Sequence, residues 1–275
     1  MRILLAGAAG AIGRQLVPAL VAAGHEVTGT TRDPDRRGLL ESMGARPLIM
    51  DALDRASVVS AVTQTDPEVV IHQLTDLARM DFEGNARVRI LGTRHLVDAA
   101  LTAGVSHMIA QSISWVVAPG SSTATESEPL ADDALPGVRE LESAVAEMPV
   151  GVVLRYGYVY GPGTWFDAQG LRAEEARAGT LQAMADVTDF VHVGDAAQAA
   201  VDALAWPAGI YNIVDGEPAP AAEWIPAFAA AVGAPVPNVT PPQAQGRPVS
   251  NAKARAAGWT PRYASWREGF RTFSA

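Results

Sequence analysis

The chain has 275 residues, 48% of them hydrophobic and 19% charged, which is enough apolar material for one large α/β domain or two modest ones. It contains no cysteine, and this excludes disulfides, thiolate nucleophiles, iron–sulfur clusters and cysteine zinc sites. The net charge of -9 argues against a nucleic acid partner, because binding a phosphate backbone requires a basic face. We see no membrane-length apolar run and no signal peptide, so we expect a cytoplasmic protein without membrane association.

Short aliphatic runs alternate with longer amphipathic stretches from the first residues onward, which is typical of a parallel sheet covered by helices. The pattern predicts strands at Ile3 to Ala6, Glu26 to Thr30, Arg46 to Ile49, Val69 to His72, His107 to Ala110 and Val150 to Leu154. Helical spacing predicts helices over Ile12 to Ala23 and Ala86 to Ala103. Six strands in this order predict an α/β fold with a doubly wound parallel sheet.

The first predicted strand runs directly into a glycine-rich turn, Gly7-Ala8-Ala9-Gly10-Ala11-Ile12-Gly13, where a helix begins. Glycine permits the tight turn, the close approach of a pyrophosphate and the packing of the helix on the strand. The amides of the helix N-terminus would face the phosphate oxygens. The sequence therefore predicts a dinucleotide site, and the alternative is a glycine-rich turn without a ligand. The predicted contacts are Gly7, Ala9, Gly10, Ala11 and Ile12.

The end of the second strand favours NADP over NAD. A site for NAD usually places a carboxylate there, whereas this chain reads Thr30-Thr31-Arg32-Asp33. Because a guanidinium suits the 2′-phosphate, we predict that Thr31 and Arg32 bind that end of NADP. Asp33 is the alternative contact, and its carboxylate would bind the ribose hydroxyl of NAD.

Beyond about residue 156 the alternation gives way to segments rich in glycine, proline and aromatic residues, interrupted by two strand-like runs at 190–193 and 211–214. We therefore expect a dinucleotide-binding Rossmann core at 1–155, to which 189–214 returns. A small C-terminal substrate-binding region is expected at 156–188 and 215–275. Trp266 and Phe270, four residues apart, predict a terminal helix that packs on the body of the protein.

Several segments resemble the extended, epimerase/dehydratase-like branch of the short-chain dehydrogenase/reductases. The GxxGxxG turn, Gly92-Thr93-Arg94-His95-Leu96, the segment 154–162 and Gly258-Trp259-Thr260-Pro261 carry this resemblance across nearly the whole chain. The resemblance implies a homodimer, because family members often pair through the helices after strands four and five. It also implies further cofactor contacts, at Asp51, Ala52, Gln73, Leu74, Thr75 and Tyr156.

The tyrosine and lysine pair of this family is absent, so the chain resembles an atypical member. In the family a lysine four residues after the tyrosine stabilises the tyrosinate for proton exchange with the substrate. All five tyrosines lie beyond the helix expected after strand five, and the only lysine is Lys253. The segment Ala134 to Glu142 offers no replacement, although Glu140 or Glu142 matches an acidic residue that follows the motif.

Other hydroxyl groups are therefore the candidates for chemistry. Ser112 and Ser114 follow strand five, where ligands lie in open α/β sheets, and their hydroxyls can polarise a carbonyl. Tyr158 is the predicted proton donor, and packing in the wall of the crevice is the alternative role for its ring. No histidine pair has the spacing of a zinc helix, so we expect no metal.

We expect an NADP(H)-dependent oxidoreductase with a non-standard proton donor. Aromatic residues such as Trp115, Trp165 and Phe166 favour a small or polycyclic, largely apolar metabolite whose carbonyl is reduced or whose alcohol is oxidised. Because a fold does not fix a function, the alternative is a non-redox use of the same scaffold. That alternative includes an epimerase, a dehydratase, a cyclase or an NADP(H)-binding sensor.

Overall fold

The chain folds into alternating strands and helices, and the computed structural model describes residues 1–77, 80–132, 134–237, 239–240 and 242–274. The strands are β1 (Arg2–Ala6), β2 (Glu26–Thr31), β3 (Arg46–Ile49), β4 (Val69–His72), β5 (His107–Ile113), β6 (Val150–Tyr156), β7 (Tyr158–Tyr160), β8 (Val187–Thr188), β9 (Phe190–His192), β10 (Gly209–Ile213) and β11 (Ala219–Pro220). The α-helices are α1 (Ala11–Ala22), α2 (Arg37–Ser42), α3 (Arg55–Thr65), α4 (Phe82–Arg87), α5 (Thr93–Thr102), α6 (Val138–Val145), α7 (Leu171–Arg177), α8 (Val193–Asp202), α9 (Ala221–Ala231), α10 (Ala252–Ala256) and α11 (Trp266–Arg271). None of the helices in these described ranges is both long and apolar enough to span a membrane.

Seven strands form the main sheet, in the order β10-β6-β5-β4-β1-β2-β3. The pairs β1–β2, β2–β3, β1–β4 and β4–β5 are parallel. The chain order reverses at β1, and a crevice at such a switch point is where open α/β sheets bind ligands. The predicted doubly wound α/β fold is confirmed, and the seventh strand, β10, overlaps the strand-like run predicted at 211–214.

The chain divides into two compact units with different cores. The first unit comprises Met1–Ser112, Asp133–Leu154 and Ala197–Ile210, and the second comprises Ile113–Asp132, Arg155–Ala196 and Tyr211–Ala275. The core of the first unit is mainly aliphatic, because its central strands are buried on both faces. The core of the second unit is largely aromatic and includes Tyr160, Phe190, Trp224, Phe228, Trp266 and Phe270.

The helix predicted over Ala86 to Ala103 is interrupted. A π-helical segment, Val88–Gly92, separates α4 from α5 and turns Arg89 into the protein, where only 6% of this residue is exposed. The 3.6-residue period cannot reveal this wider turn, because the apolar positions on both sides still fit one helix. Such π-segments occur frequently at functional sites.

Candidate active site

The glycine-rich turn after β1 has a backbone that only glycine can adopt without displacement. Gly7 has φ 92°, and a Cβ added to it would lie 2.6 Å from the carbonyl oxygen of Gln73. A Cβ added to Gly13 would lie 2.3 Å from the carbonyl oxygen of Gly7. Gly10 caps α1, which has no side-chain cap and no acidic residue in its first turn. The first amides of α1 are therefore available to an anion, and the turn fits a pyrophosphate.

Two arginines follow β2, and one of them reaches the glycine-rich turn. Arg32 follows β2, has a side chain that is 54% exposed and forms an ion pair of 3.4 Å with Asp76. Arg36 donates a hydrogen bond of 3.3 Å from Nη1 to the carbonyl oxygen of Ala9 in the glycine-rich turn. Sequence analysis identified Arg32 but missed Arg36, which could have been found from the Asp-Pro-Asp-Arg pattern of a capped turn.

Asp33, the alternative cofactor contact, has its carboxylate bonded within its own turn. Its Oδ1 accepts a hydrogen bond of 3.0 Å from the amide of Asp35, and it caps the 3₁₀ turn Pro34–Arg36. Its Oδ2 lies 3.4 Å from Nε of Arg36. Both oxygens therefore already have partners, so the geometry gives no support to a ribose contact by Asp33.

The predicted adenine-end residues lie in the loop after β3. Oδ1 of Asp51 accepts a hydrogen bond of 3.0 Å from the amide of Leu53. The carbonyl oxygen of Ala52 lies 2.9 Å from Nδ1 of His95. These bonds fix the loop, and the adenine contacts of both residues stay a prediction.

The predicted residues after β4 continue the sheet edge. The amide of Gln73 donates a 2.8 Å hydrogen bond to the carbonyl oxygen of Ala6, so this segment remains against β1. The carbonyl oxygen of Leu74 accepts a 3.3 Å hydrogen bond from Nε2 of Gln111, and Thr75 is exposed. The first unit thus brings the ends of β1 and β4 together, and the cofactor contacts of Gln73, Leu74 and Thr75 stay a prediction.

His72 ends β4 as a buried, neutral ring. Its Nδ1 accepts a 3.1 Å hydrogen bond from the amide of Leu74, and its Nε2 lies 3.0 Å from Oγ1 of Thr93. Burial lowers the pKa of His72 to about 4, and the positive charge of Arg89 acts in the same direction. The ring therefore fastens the end of β4 to α5 and is not charged near neutral pH.

A buried polar cluster lies at the end of β5 in the first unit. Oγ of Ser112 donates a 2.7 Å hydrogen bond to Oε1 of Glu142, which projects from α6. Glu140 is exposed, so geometry selects Glu142 as the counterpart of the acidic residue that follows the family motif. Burial lowers the pKa of Arg89 to about 10, and attraction to Glu142 opposes that effect. Sequence analysis did not identify Arg89 as a site residue.

Ser114 and Tyr158 belong to the second unit, with a different environment. The hydroxyl of Ser114 is buried and, within the described part of the chain, has no hydrogen-bond partner. The ring of Tyr158 stacks on Trp115 with centroids 5.1 Å apart, and its hydroxyl donates a 3.2 Å bond to Sδ of Met184. Burial raises the pKa of Tyr158 to about 12, so its phenol remains protonated.

A small aromatic cavity adjoins the Tyr158 ring in the second unit. The guanidinium of Arg172 lies over the ring of Phe166 at 5.8 Å and binds Glu175 at 2.7 Å. The cavity is lined by Tyr158, Phe166, Arg172, Gln182, Met184, Thr188 and Trp224.

Tyr156, predicted as a cofactor contact, is buried. Its hydroxyl donates a hydrogen bond of 3.2 Å to the carbonyl oxygen of Ala196.

The single lysine of the chain lies beside a tyrosine of β10. Nζ of Lys253 lies 4.4 Å from the ring centroid of Tyr211, so the amine faces the ring. Burial raises the pKa of Tyr211, whereas a catalytic lysine would have to lower it. The amine of Lys253 is thus engaged in a cation–π contact with this ring.

Known proteins resemble this chain over most of its length. Residues 3–214 match the model of the NAD dependent epimerase/dehydratase family. A Streptomyces protein named 3-diazoavenalumate denitrifying reductase is 43% identical, with 98% of this chain and 99% of that protein covered. A Stenotrophomonas maltophilia protein named 2-alkyl-3-oxoalkanoate reductase is 28% identical, with 86% and 77% covered.

A solved structure extends the comparison to three dimensions. The Thermus thermophilus UDP-glucose 4-epimerase in complex with NAD has a TM-score of 0.82 and is 28% identical. The match covers 100% of this chain and 98% of that chain. The match therefore includes the seven-stranded sheet and the glycine-rich turn of this chain. The chain therefore belongs to the NAD-dependent epimerase/dehydratase family.

Proposed function

We propose that the protein is an NADP(H)-dependent reductase of small aromatic metabolites. The observation that carries this proposal is the 43% identity, along nearly the full length of both chains, with a protein named as a reductase. A second relative is also named as a reductase. These similarities support an oxidoreductase over a sensor or an epimerase.

Arg32 and Arg36 support NADP as the cofactor. Both guanidinium groups are half exposed, and Arg36 reaches the glycine-rich turn that would hold the pyrophosphate. Arginine forks bind phosphate bidentately, whereas the carboxylate of Asp33 is engaged with Arg36 and an amide. We therefore assign cofactor binding to the Rossmann core predicted at 1–155 and substrate binding to the C-terminal region.

The absence of the tyrosine and lysine pair bears on the hydride acceptor. When bound, the reduced nicotinamide supplies a hydride. An aryl diazonium that accepts a hydride at its ring carbon loses dinitrogen with the electron pair of the broken carbon–nitrogen bond and requires no proton. A carbonyl requires one hydride and one proton, for which Tyr158 is the proposed donor. The stacked rings of Trp115 and Tyr158 support a planar aromatic substrate in either case.

The test combines cofactor binding with turnover. We expect calorimetry to show NADPH binding at least about 10-fold tighter than NADH, because a phosphate–guanidinium interaction contributes on the order of 1.5–3 kcal/mol. The purified protein is then incubated with NADPH and a panel of aryl diazo compounds, aryl ketones and aryl aldehydes. We expect oxidation of NADPH at 340 nm together with a product bearing hydrogen in place of dinitrogen, or with an alcohol.

Three results would argue for other functions. Tighter binding of NADH would reject the role of Arg32 and Arg36. Binding of NADPH without oxidation across the panel would favour the sensor. Conversion of a substrate without net change in the cofactor would favour an epimerase, dehydratase or cyclase.

A further inference from the structure

Arg89 is a buried cation in an unusual backbone segment. It lies in the π-helical segment between α4 and α5, and only 6% of the residue is exposed. Taking a guanidinium out of water costs several kcal/mol unless partners replace the water. Such a residue therefore requires partners of opposite charge or good hydrogen-bond acceptors.

The protein supplies Arg89 with few such partners. Among the residues that the structure describes, the guanidinium makes neither a hydrogen bond nor an ion pair, and Glu142 attracts it only through space. Oε1 of Glu142 already accepts the Ser112 proton. By contrast Arg94, further along the same helical region, binds Glu147 at 2.7 Å and Asp98 at 2.8 Å. The donors of Arg89 are thus available to a ligand.

Arg89 lies near the edge of the sheet at which ligands bind. Its charge acts on His72 at the carboxyl end of β4 and on Glu142, which holds Ser112 at the end of β5. Ligands of open α/β sheets bind outside these carboxyl ends. Arg89 also packs against Gly137 at the start of α6, the helix that carries Glu142, so it lies beside the region where a hydride acceptor would bind.

Residue 137 provides the space that Arg89 occupies. Gly137 precedes α6, and a Cβ added to it would lie 2.7 Å from Cβ of Arg89. The helix that carries the family's tyrosine and lysine thus begins here with a glycine and Val138. Arg89 of the facing π-segment therefore lies against the N-terminus of the helix in which this sequence has no lysine.

We propose that Arg89 binds the substrate oxygen on which negative charge develops during hydride transfer, and so replaces the electrostatic contribution of the missing lysine. This inference rests on the proposed reductase function. For a carbonyl, the hydride bonds to carbon, the π electrons move to oxygen, and the alkoxide then takes up a proton. For an aryl diazo compound with a conjugated ring oxygen, hydride addition expels dinitrogen and leaves a phenolate. Arg89 donates hydrogen bonds to either oxyanion and keeps its own protons.

The first test compares Arg89→Met and Arg89→Lys with the control Arg94→Met, which removes a partly buried, ion-paired arginine from the same helical region. We expect Arg89→Met to lower kcat about 10²-fold, the loss typical of a missing oxyanion donor. Arg89→Lys should lose less, because it retains the charge without the planar fork. Guanidinium added at millimolar concentration should partly restore Arg89→Met but leave the control unchanged. A kcat for Arg89→Met within 3-fold of wild type would overturn the assignment.

The second test does not depend on turnover. The affinity for 4-nitrophenolate is measured by its absorbance in the presence of saturating NADP⁺, and circular dichroism verifies folding. We expect Arg89→Met to bind this anion at least 10-fold more weakly than wild type and Arg94→Met to bind it equally well. Equal affinity in both variants, or no binding to wild type, would contradict the role of Arg89. A failure of the proposed function gives a different result, because wild type would then not bind NADPH.

Discussion

Oγ of Ser112 lies 2.7 Å from Oε1 of Glu142, and both side chains are buried. The carboxylate takes the only proton of this serine, so Ser112 has no proton left for a substrate in this arrangement. The buried hydroxyl of Ser114, by contrast, has no hydrogen-bond partner in the described ranges. The two serines that the sequence presents as equivalent therefore differ in what they can do.

This difference predicts unequal effects of two serine substitutions on stability. Ser112→Ala should lower the free energy of unfolding by about 1–3 kcal/mol, because the buried carboxylate of Glu142 loses a donor. Ser114→Ala should change stability by less than about 0.5 kcal/mol, since no hydrogen bond is lost. Urea unfolding at pH 7 measures both values, and equal losses would contradict the difference in hydrogen bonding.

The cofactor preference should reside in the two arginines after β2. We expect Arg32→Ala and Arg36→Ala each to weaken NADPH binding about 10-fold while changing NADH binding little, because only NADPH carries the 2′-phosphate. Arg37→Ala, an exposed neighbour at the start of α2, is the control and should leave both affinities unchanged. Asp33→Asn tests the alternative cofactor contact, because a weakened affinity for NADH would show that Asp33 binds the ribose.

The role of Tyr158 as proton donor can be tested by comparing two classes of substrate. Tyr158→Phe retains the ring that stacks on Trp115 and removes only the hydroxyl. We expect kcat to fall about 10²-fold for a carbonyl, which needs a proton, and to change less than about 2-fold for an aryl diazonium, which does not. Steady-state rates at saturating NADPH provide the measurement. Unchanged rates for both classes would leave the ring with a packing role alone.

The second unit should lose stability as the pH rises. Burial raises the pKa of Asp189 to about 7 and that of Asp215 to about 8, and the two carboxylates repel each other. In the unfolded chain both groups titrate near about pH 4, so the folded state binds more protons between about pH 4 and 8. The free energy of unfolding should therefore decrease across this window, by on the order of a few kcal/mol.

Urea unfolding at pH 5 and pH 8.5 measures this decrease. Asp189→Asn and Asp215→Asn should each flatten the dependence on pH, because an amide does not titrate. Glu140→Gln, on the exposed surface of α6, should retain the wild-type slope. A wild-type stability that rises from pH 5 to 8.5 would be inconsistent with protonated carboxylates in the folded protein.

The central strands and the glycine-rich turn were predictable because their signals are local. β1 and β4 are apolar at successive positions, and the turn at Gly7 follows its strand directly, so neighbouring residues suffice to identify them. Arg32 was proposed in the same way, from its position at the end of a strand. The family resemblance added the edge of β4, which the structure brings against β1.

Arg89 and Glu142 could not be recognised by the same reasoning. They lie 53 positions apart in sequence, and the π-helical turn that directs Arg89 inward leaves the helical period of its neighbours intact. The partner of Ser112 was equally hidden, because sequence left Glu140 and Glu142 equivalent and only burial separates them. Contacts between distant segments decide these roles.

The amine of Lys253, held over the ring of Tyr211, is exposed at the surface, and the chain has no other lysine. Acylating reagents therefore have one side-chain target besides the N-terminus. A fluorophore or cross-linker attached there would report from a single known point, without the mutagenesis that selective labelling usually demands.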